Sequence, residues 1–511
     1  MTEDSTADLA DRAGNRHVVV VGGGIGGLVA ARECAKVGMR VTLLEAERAP
    51  GGAIRGAELD GVLVDAGAES YATRGGHVRK LIDELGLADR VVTPDPAGAW
   101  LVGARGVGAA PLPKGGILGI PVNPFADDVR RIIGWGGAWR AYVDRLRPPL
   151  TIGQERSLGT LVSQRMGAKV RDLLVAPVTA GVYSADPDDV DTEAAAPGLN
   201  AALTRTGSLS GGVAQLIAER ADRANKAPGS AVEGLRGGMI GLVDALVADI
   251  DELGGAIRTG ATADSIVSDG DEWSVTFSTA EDAEHSEDAG ERPIDDEESS
   301  RSTTVTADAV IIATPEPSAR ALLSGLVSGL HAAGDAPQIE IVSLLLEAQS
   351  LDAAPRGTGV LTVPGSHTAK ALTHATAKWE WLREATGARH VVRVSFGAQG
   401  EPSATAALDD DAAANLALSE ASALLGISLP ASSLVASHRA RFTQSQPASL
   451  IGAAERRREV RAAVRPVDGL GVVGSWLSGT GLAQVIPDAI AEADRVRRTL
   501  LWGADPDLST P

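Results

Sequence analysis

Apolar and polar positions change rhythm several times along the chain, and each rhythm predicts an element. His17 to Gly22 (HVVVVG) is an unbroken β-branched run, the pattern of a strand buried on both faces of a parallel sheet. A glycine turn follows, then a segment with Leu28, Ala31 and Ala35 on one side, which predicts a helix. Arg40 to Ala46 (RVTLLEA) predicts the second strand. The chain therefore opens on a βαβ unit whose ligand end is the turn.

From about Leu112 to Gly207 the pattern is mainly helical. Phe125 to Leu146 places Val129, Ile132, Trp135, Trp139 and Val143 near helical spacing, with Gly134, Gly136 and Gly137 weakening the helix. The two tryptophans are expected to fill a helix–helix contact. Gly234 to Phe277 predicts a helix followed by strands, and Ala307 to Pro315 (ADAVIIATP) another buried strand. Between them, Glu281 to Ser302 is dense in acids and nearly devoid of large apolar groups, which predicts a flexible loop. Further on, IVSLLLE and HVVRVSF predict strands, Asp410 to Leu425 a helix, and the end a strand, a glycine-rich turn and a closing helix.

At 511 residues the chain predicts more than one structural lobe. A net charge of -20 excludes the basic surface that nucleic acid requires and makes anionic membranes poor partners. The acidic N-terminus lacks the features of a secretory signal, and no apolar run is long enough to span a bilayer, so a soluble, cytoplasmic protein without stable membrane insertion is expected. The single cysteine, Cys34, excludes an internal disulfide and, with it, the dithiol chemistry of disulfide reductases. Cys34 falls in the first helix, where packing against the sheet is expected. The eight histidines show no metal-ligand spacing, so no metal is expected.

The candidate chemistry begins at Gly22, Gly24 and Gly27, a G-x-G-x-x-G turn that also contains Gly23, Ile25 and Gly26. Gly22 permits the tight exit from the strand, Gly24 lets amides approach a pyrophosphate, and Gly27 lets helix and strand pack closely. Glu45, at the end of the second strand, stands where an acid accepts from ribose hydroxyls. Next come Arg48, the pair Gly51-Gly52, and Ala53. A second glycine pair lets the chain fold back along an extended cofactor, which favours FAD over NAD.

Four further stretches carry a family resemblance: GAES (Gly67, Ala68, Glu69, Ser70), Pro177 to Pro197 with its G-V-Y-x-x-D-P pattern, GLRGGMIGLVDAL, and VVGSWLSGTGLAQVIPDAI. Together they resemble the protoporphyrinogen/coproporphyrinogen oxidase family within the monoamine-oxidase-like flavoproteins. The resemblance implies an α/β fold: a discontinuous Rossmann-like FAD-binding domain (15–90, 234–317 with the loop 281–302, and 466–503), a mixed-sheet substrate domain (strands in 91–111 and 205–233, and 318–465) and a helical lobe (112–204). It implies that Gly22 to Gly27, Glu45, Ala53, Gly67 to Ser70, Ala263, Ser475, Val485 and Ile486 contact FAD, with Arg48 and Gly52 beside them. Ala263 stands where the family usually has valine, and Ala483 replaces an expected glycine.

The resemblance further implies stepwise six-electron oxidation of a porphyrinogen, with hydride passing to the flavin and oxygen leaving as hydrogen peroxide. Pyrrole N–H protons can leave to water, so no catalytic side chain is assigned. Arg74 is the candidate contact for a substrate propionate; Arg130, Arg131, Arg140, Arg145 and Arg147 are read first as solvated or paired surface groups. No cysteine lies near the C-terminal turn, so the FAD is expected to be noncovalent. Coproporphyrinogen III is favoured as substrate, with protoporphyrinogen IX as the alternative. An amine oxidase or polyene desaturase on the same scaffold stands second, since three tyrosines and four phenylalanines make an aromatic cage hard to build. A flavin- or porphyrin-binding protein without turnover is the reading from another class.

Overall fold

The computed structural model describes residues 10–147, 155–224, 232–270, 272–279, 301–330, 336, 338–400, 402–443 and 449–503. The opening strand, His17–Val21, is the centre of a five-stranded sheet ordered Ala256–Arg258, Arg40–Leu44, His17–Val21, Ala309–Ile312 and Leu470–Val472. Every pairing in it is parallel. The β-branched run is explained by what covers it. Val18 and Val20 pack in a core shared with the helices Ile25–Ala35, Ile240–Glu252 and Leu482–Trp502. Val19 and Val21 face the other way, into a core with Trp273, Val275 and Phe277 of a three-stranded antiparallel sheet. A strand walled on both sides has no polar face to show.

A second, seven-stranded sheet runs Leu434–Thr443, Gln338–Leu346, His390–Phe396, Ala371–His374, Gly359–Thr362, Ala99–Ala104 and Gly108–Pro111. Only Gly359–Thr362 and Ala99–Ala104 pair in parallel within it. The helix Asp410–Leu425 covers one face through Ala413, Ala417, Ala421 and Leu424.

Helices Asp127–Tyr142, Leu158–Met166, Leu199–Thr206 and Leu209–Ala224 share a third core. The glycines foretold a weakness in the first of these, and at Gly134 the backbone leaves the helical region (φ 68°, ψ 173°). The two tryptophans do not fill a helix–helix contact. The break resets the helical face, so Gly137, Ala138 and Ala141 turn inward, and Trp135 and Trp139 are left 61% and 58% exposed. They cluster with Phe125 and Tyr142, Trp139 meeting Phe125 edge-on at 5.0 Å.

Two spans differ from the sequence expectation. Within 205–233, expected as strand, Leu209–Ala224 is helical, because Leu209, Val213 and Leu216 recur at helical spacing and are buried; strand appears only at Val232–Leu235. Of the acidic stretch 281–302, residues 281–300 lie outside the described residues, while Arg301 and Ser302 begin the strand Arg301–Ala307. Among the described residues, no helix is long and apolar enough to cross a membrane.

Candidate cofactor and substrate site

At the exit of the opening strand, Gly22 adopts φ 108°, and a Cβ there would stand 2.8 Å from the Ala313 main chain. A Cβ on Gly27 would lie 1.9 Å from the Gly22 carbonyl oxygen. These two glycines are required by packing. Gly24 is different: a Cβ there meets nothing within 4 Å, so the turn is open on that side, where the helix Ile25–Ala35 begins and presents its first amides. The Gly23 N–H donates to Glu45 Oε2 at 2.6 Å and the Glu47 N–H to Glu45 Oε1 at 2.8 Å. The buried Glu45 carboxylate is thereby aimed and held beside the turn.

The second glycine pair folds back onto the first turn. Gly51 N–H donates to Gly23 O at 2.8 Å, Gly51 bridges Gly24, and a Cβ on Gly52 would stand 3.2 Å from Gly24 Cα. Ala53 carries the chain to the next layer, where its carbonyl accepts from Ala68 N–H at 3.0 Å and lies 2.0 Å from where a Gly67 Cβ would be. Ala263 sits at a bulge in the strand Ala261–Asp269, whose Ala261 N–H donates to Glu45 O at 2.8 Å. The C-terminal segment closes the other side. A Cβ on Gly26 would touch Val485 Cγ1 at 3.4 Å and Gly474 at 3.6 Å; Ser475 follows Gly474, and Ile486 is fully buried in the core that holds Ile25. Arg48 is exposed on the loop after Glu45. Backbone open at Gly24 and closed elsewhere by glycine-only contacts fits an extended dinucleotide.

Three cations here escaped the sequence reading. Arg393, on the strand His390–Phe396, donates from Nη1 to Glu69 Oε2 at 2.7 Å and from Nη2 to the Gly67 carbonyl. Lys378 donates to Glu69 Oε1 at 2.5 Å. Burial alone raises the Glu69 pKa, but Lys378 and Arg393 outweigh it and hold the carboxyl at about 2. The signal was a lone arginine inside the apolar run HVVRVSF, which a buried strand does not carry without a partner. Arg55 was also missed; its Nε donates to Gly52 O at 2.8 Å. Nearby, burial pushes the Asp65 carboxyl up to about 6, although it accepts from Met239 N–H at 2.8 Å.

Arg74 lies exposed just past the strand Tyr71–Ala72. With the Gln484 amide oriented oxygen-first, Gln484 accepts from Arg74 Nη2 at 3.3 Å and donates to Thr480 O at 3.1 Å. Burial raises the Tyr183 phenol pKa and Arg74 lowers it, so the two side chains share one neighbourhood. The other arginines sit elsewhere. Arg130 pairs with Asp127 at 2.5 Å, Arg140 donates to the Gln164 and Arg165 carbonyls at 2.9 Å, Arg147 donates to the Gln164 carbonyl, and the Arg145 guanidinium lies 5.3 Å from the Tyr142 ring centroid. Arg131 is exposed. Cys34 is fully buried in the helix after the glycine turn, and desolvation pushes its thiol up to about 12, which leaves it unreactive.

The pattern of the family described as flavin containing amine oxidoreductase matches residues 25–498. A coproporphyrinogen III oxidase of Mycobacterium tuberculosis is 28% identical over 503 residues, covering 97% of this chain and 99% of that protein. A mitochondrial protoporphyrinogen oxidase of Nicotiana tabacum is 25% identical over 251 residues, 46% of this chain and 48% of that one. Among solved structures, one from Exiguobacterium sp. 255-15, named as a candidate protoporphyrinogen oxidase, superposes with a TM-score of 0.76 at 22% identity, covering 94% and 99% of the two chains. A putrescine oxidase shares the fold at a TM-score of 0.59 and 16% identity, covering 95% and 99%. With its α/β architecture and its glycine cradle, the chain belongs to the flavin containing amine oxidoreductase family and is an FAD-dependent oxidoreductase.

Proposed function

We propose that the chain oxidises coproporphyrinogen III to coproporphyrin III in the cytoplasm, with noncovalent FAD and molecular oxygen. The observation that carries this reading is that Arg74 donates to Gln484 at 3.3 Å at the edge of the cradle and lies near enough to Tyr183 to lower its phenol pKa, so that three distant segments converge there. Tyr183 belongs to the G-V-Y motif and Gln484 to the C-terminal helix. Relatives named coproporphyrinogen III oxidase, alignable over nearly the whole chain, support it. When bound, FAD supplies the two-electron acceptor. Six electrons and six hydrogens leave the macrocycle in all, and three O2 become three H2O2.

The chain's own residues position these partners. The turn Gly22 to Gly27 takes the pyrophosphate through the amides of Gly24, Ile25 and Gly26 at the head of the helix, while the Gly22 and Gly23 amides are engaged by Leu44 O and Glu45, and Glu45, aimed by Gly23, takes the ribose hydroxyls. Ala263 contacts the nucleotide end through its backbone, with Arg48 at the rim. Gly52, Ala53, Gly67, Ala68, Glu69 and Ser70 line one side of the flavin, and Ser475, Val485 and Ile486 the other. The Glu69 carboxylate is occupied by Lys378 and Arg393, so that residue offers the flavin its main chain. Arg74 takes a substrate propionate. No side-chain base is assigned, since pyrrole protons can pass to water.

The test is direct. The purified protein is examined for a flavin spectrum, then given each porphyrinogen aerobically while porphyrin fluorescence and peroxide are followed. Fluorescence with coproporphyrinogen III supports the reading. Flavin with turnover of neither porphyrinogen overturns it while leaving the family intact.

A further inference from the structure

One group of cations has no part in the scheme above. Where the helical region meets the rim of the seven-stranded sheet, Arg105, Arg131 and Lys169 line an open groove of about 500 Å3. Its floor is apolar: Val107, Leu173 and Val363 lie half-buried along it and pack on the core of the helical region. Among the described residues, no acid lines it.

Both walls are held by specific contacts. One is the helix break at Gly134, where the Ile133 carbonyl accepts from Lys169 Nζ at 3.3 Å. The Lys169 stem runs along the same turn, since a Cβ on Gly137 would stand 3.2 Å from its Cδ. The other wall is the loop after the strand Gly359–Thr362. There the Val363 N–H donates to Val102 O at 2.9 Å and the Ser366 N–H to Val363 O at 3.0 Å. A Cβ on Gly103 would collide with Ser366 Oγ, so the loop lies directly on the sheet.

Charge decides what the groove can hold. The chain has 67 acidic and 47 basic residues, so three cations gathered without an acid run against its composition. In the same region Arg130, Arg156 and Arg171 each pair with a carboxylate. Among the described residues, Arg105, Arg131 and Lys169 form no ion pair. Asp128 accepts from the Lys114 and Val129 amides instead, and Asp172 pairs with Arg171. A concavity with one sign of charge above an apolar floor attracts an anion and holds its apolar body. The groove is also apart from the site beside the flavin. Lys169 and Tyr183 stand at opposite ends of one helical run, Ala168–Val170, Arg171–Val175 and Ala176–Tyr183, and its rise separates them by roughly 20 Å.

We propose that the groove is a second, outer site for a small apolar polycarboxylate, namely the oxidised porphyrin after it has left the flavin. The acidic arms reach the three cations and the macrocycle lies along the floor. The identity of this occupant rests on the porphyrinogen reading, whose product is flat, apolar and bears four carboxylates.

The experiment measures binding of coproporphyrin III to full-length flavin-loaded protein by fluorescence anisotropy, with its tetramethyl ester as the uncharged control. All proteins carry Arg74→Met, which weakens the site beside the flavin so that the groove is read. Arg105→Met and Lys169→Met should each weaken binding about tenfold, as for a lost hydrogen bond to a charged group. The ester should bind at least about tenfold more weakly than the acid, and added salt should weaken the acid alone. Unchanged affinity when Arg105→Met and Lys169→Met are combined overturns the site, and so does an ester that binds as tightly as the acid. Arg105 is exposed, so Arg105→Met alone decides should Lys169→Met fail to fold. Wild type that turns over neither porphyrinogen, beside binding that depends on Arg105 and Lys169, supports the polycarboxylate site and removes the reaction. Turnover without such binding overturns the outer site alone.

Discussion

Arg393 and Glu69 meet at 2.7 Å, tying the interior of the seven-stranded sheet to the loop that lines the cradle. Arg393 is buried and Glu69 largely so, and a second cation, Lys378, reaches the same carboxylate at 2.5 Å. Arg393 also donates to the Gly67 carbonyl, so one guanidinium fixes both the side chain and the backbone of the loop.

Replacing Arg393 with methionine leaves the Glu69 carboxylate in a dry site with half its compensation. Breaking a buried pair costs about 3–5 kcal/mol, to be read by urea unfolding of flavin-loaded protein. FAD affinity should fall with it, because the loop loses its tether. Glu69→Gln combined with Arg393→Met should cost less than the sum of the single changes.

Acid should weaken the fold through two identified groups. The Glu69 carboxyl is held at about 2 against an ordinary 4.5, so its stabilisation is present above the ordinary value and disappears as pH falls through the folded one. Burial holds the His374 imidazole at about 4 against an ordinary 6.5, so the unfolded chain takes up a proton first and stability declines as pH falls from 6.5 toward 4. Unfolding curves of His374→Phe should show a shallower loss across that window than wild type.

The glycine turn separates packing from binding. Gly24→Ala adds a methyl into open space, so stability should stay within about 0.5 kcal/mol while FAD affinity falls, because the methyl occupies the pyrophosphate side. Gly27→Ala puts a Cβ 1.9 Å from the Gly22 oxygen and should lose both fold and flavin. Equal FAD affinity in Gly24→Ala and wild type would place the dinucleotide elsewhere.

Arg74→Met should raise KM for the porphyrinogen and leave kcat and the flavin spectrum nearly as they were, as expected for a contact made equally in ground and transition states. Steady-state kinetics at two salt concentrations check it: the salt sensitivity of KM should shrink in the variant.

Within the helical region, Asp144 and Arg165 form an almost fully buried ion pair, and Asp144 Oδ2 also accepts from Leu209 N–H at 2.5 Å. Asp144→Ala should destabilise by about 3–5 kcal/mol, whereas Trp139→Ser, removing a largely exposed indole and its edge-on contact with Phe125, should cost only about 0.5–1.5 kcal/mol. Thermal or urea unfolding distinguishes the two.

Elements governed by local pattern were legible in the sequence. The strand His17–Val21, the turn after it and the helix Asp410–Leu425 follow directly from apolar rhythm, glycine placement and an Asp409 cap that accepts from Ala412 N–H. Relationships between distant segments were not. Nothing near Glu69 announces Lys378 or Arg393, because an ion pair across the fold leaves only an out-of-place charge at each end. The orientation of Trp135 and Trp139 was misread because periodicity assumes one continuous helix, and a single residue at φ 68° resets the face. The helix Leu209–Ala224 was read as strand although its buried leucines and valine recur at helical spacing; its two glycines and mixed polarity obscured the period.

The closure of the cradle by Val485 and Gly474 against Gly26 has a consequence for biogenesis. The segments that carry Gly26 and Val485 must find each other before the dinucleotide groove has its second wall. A nascent chain lacks that wall until the helix Leu482–Trp502 has emerged. A groove with both walls therefore forms only after that long-range contact is made, and its large sequence separation is expected to slow this step.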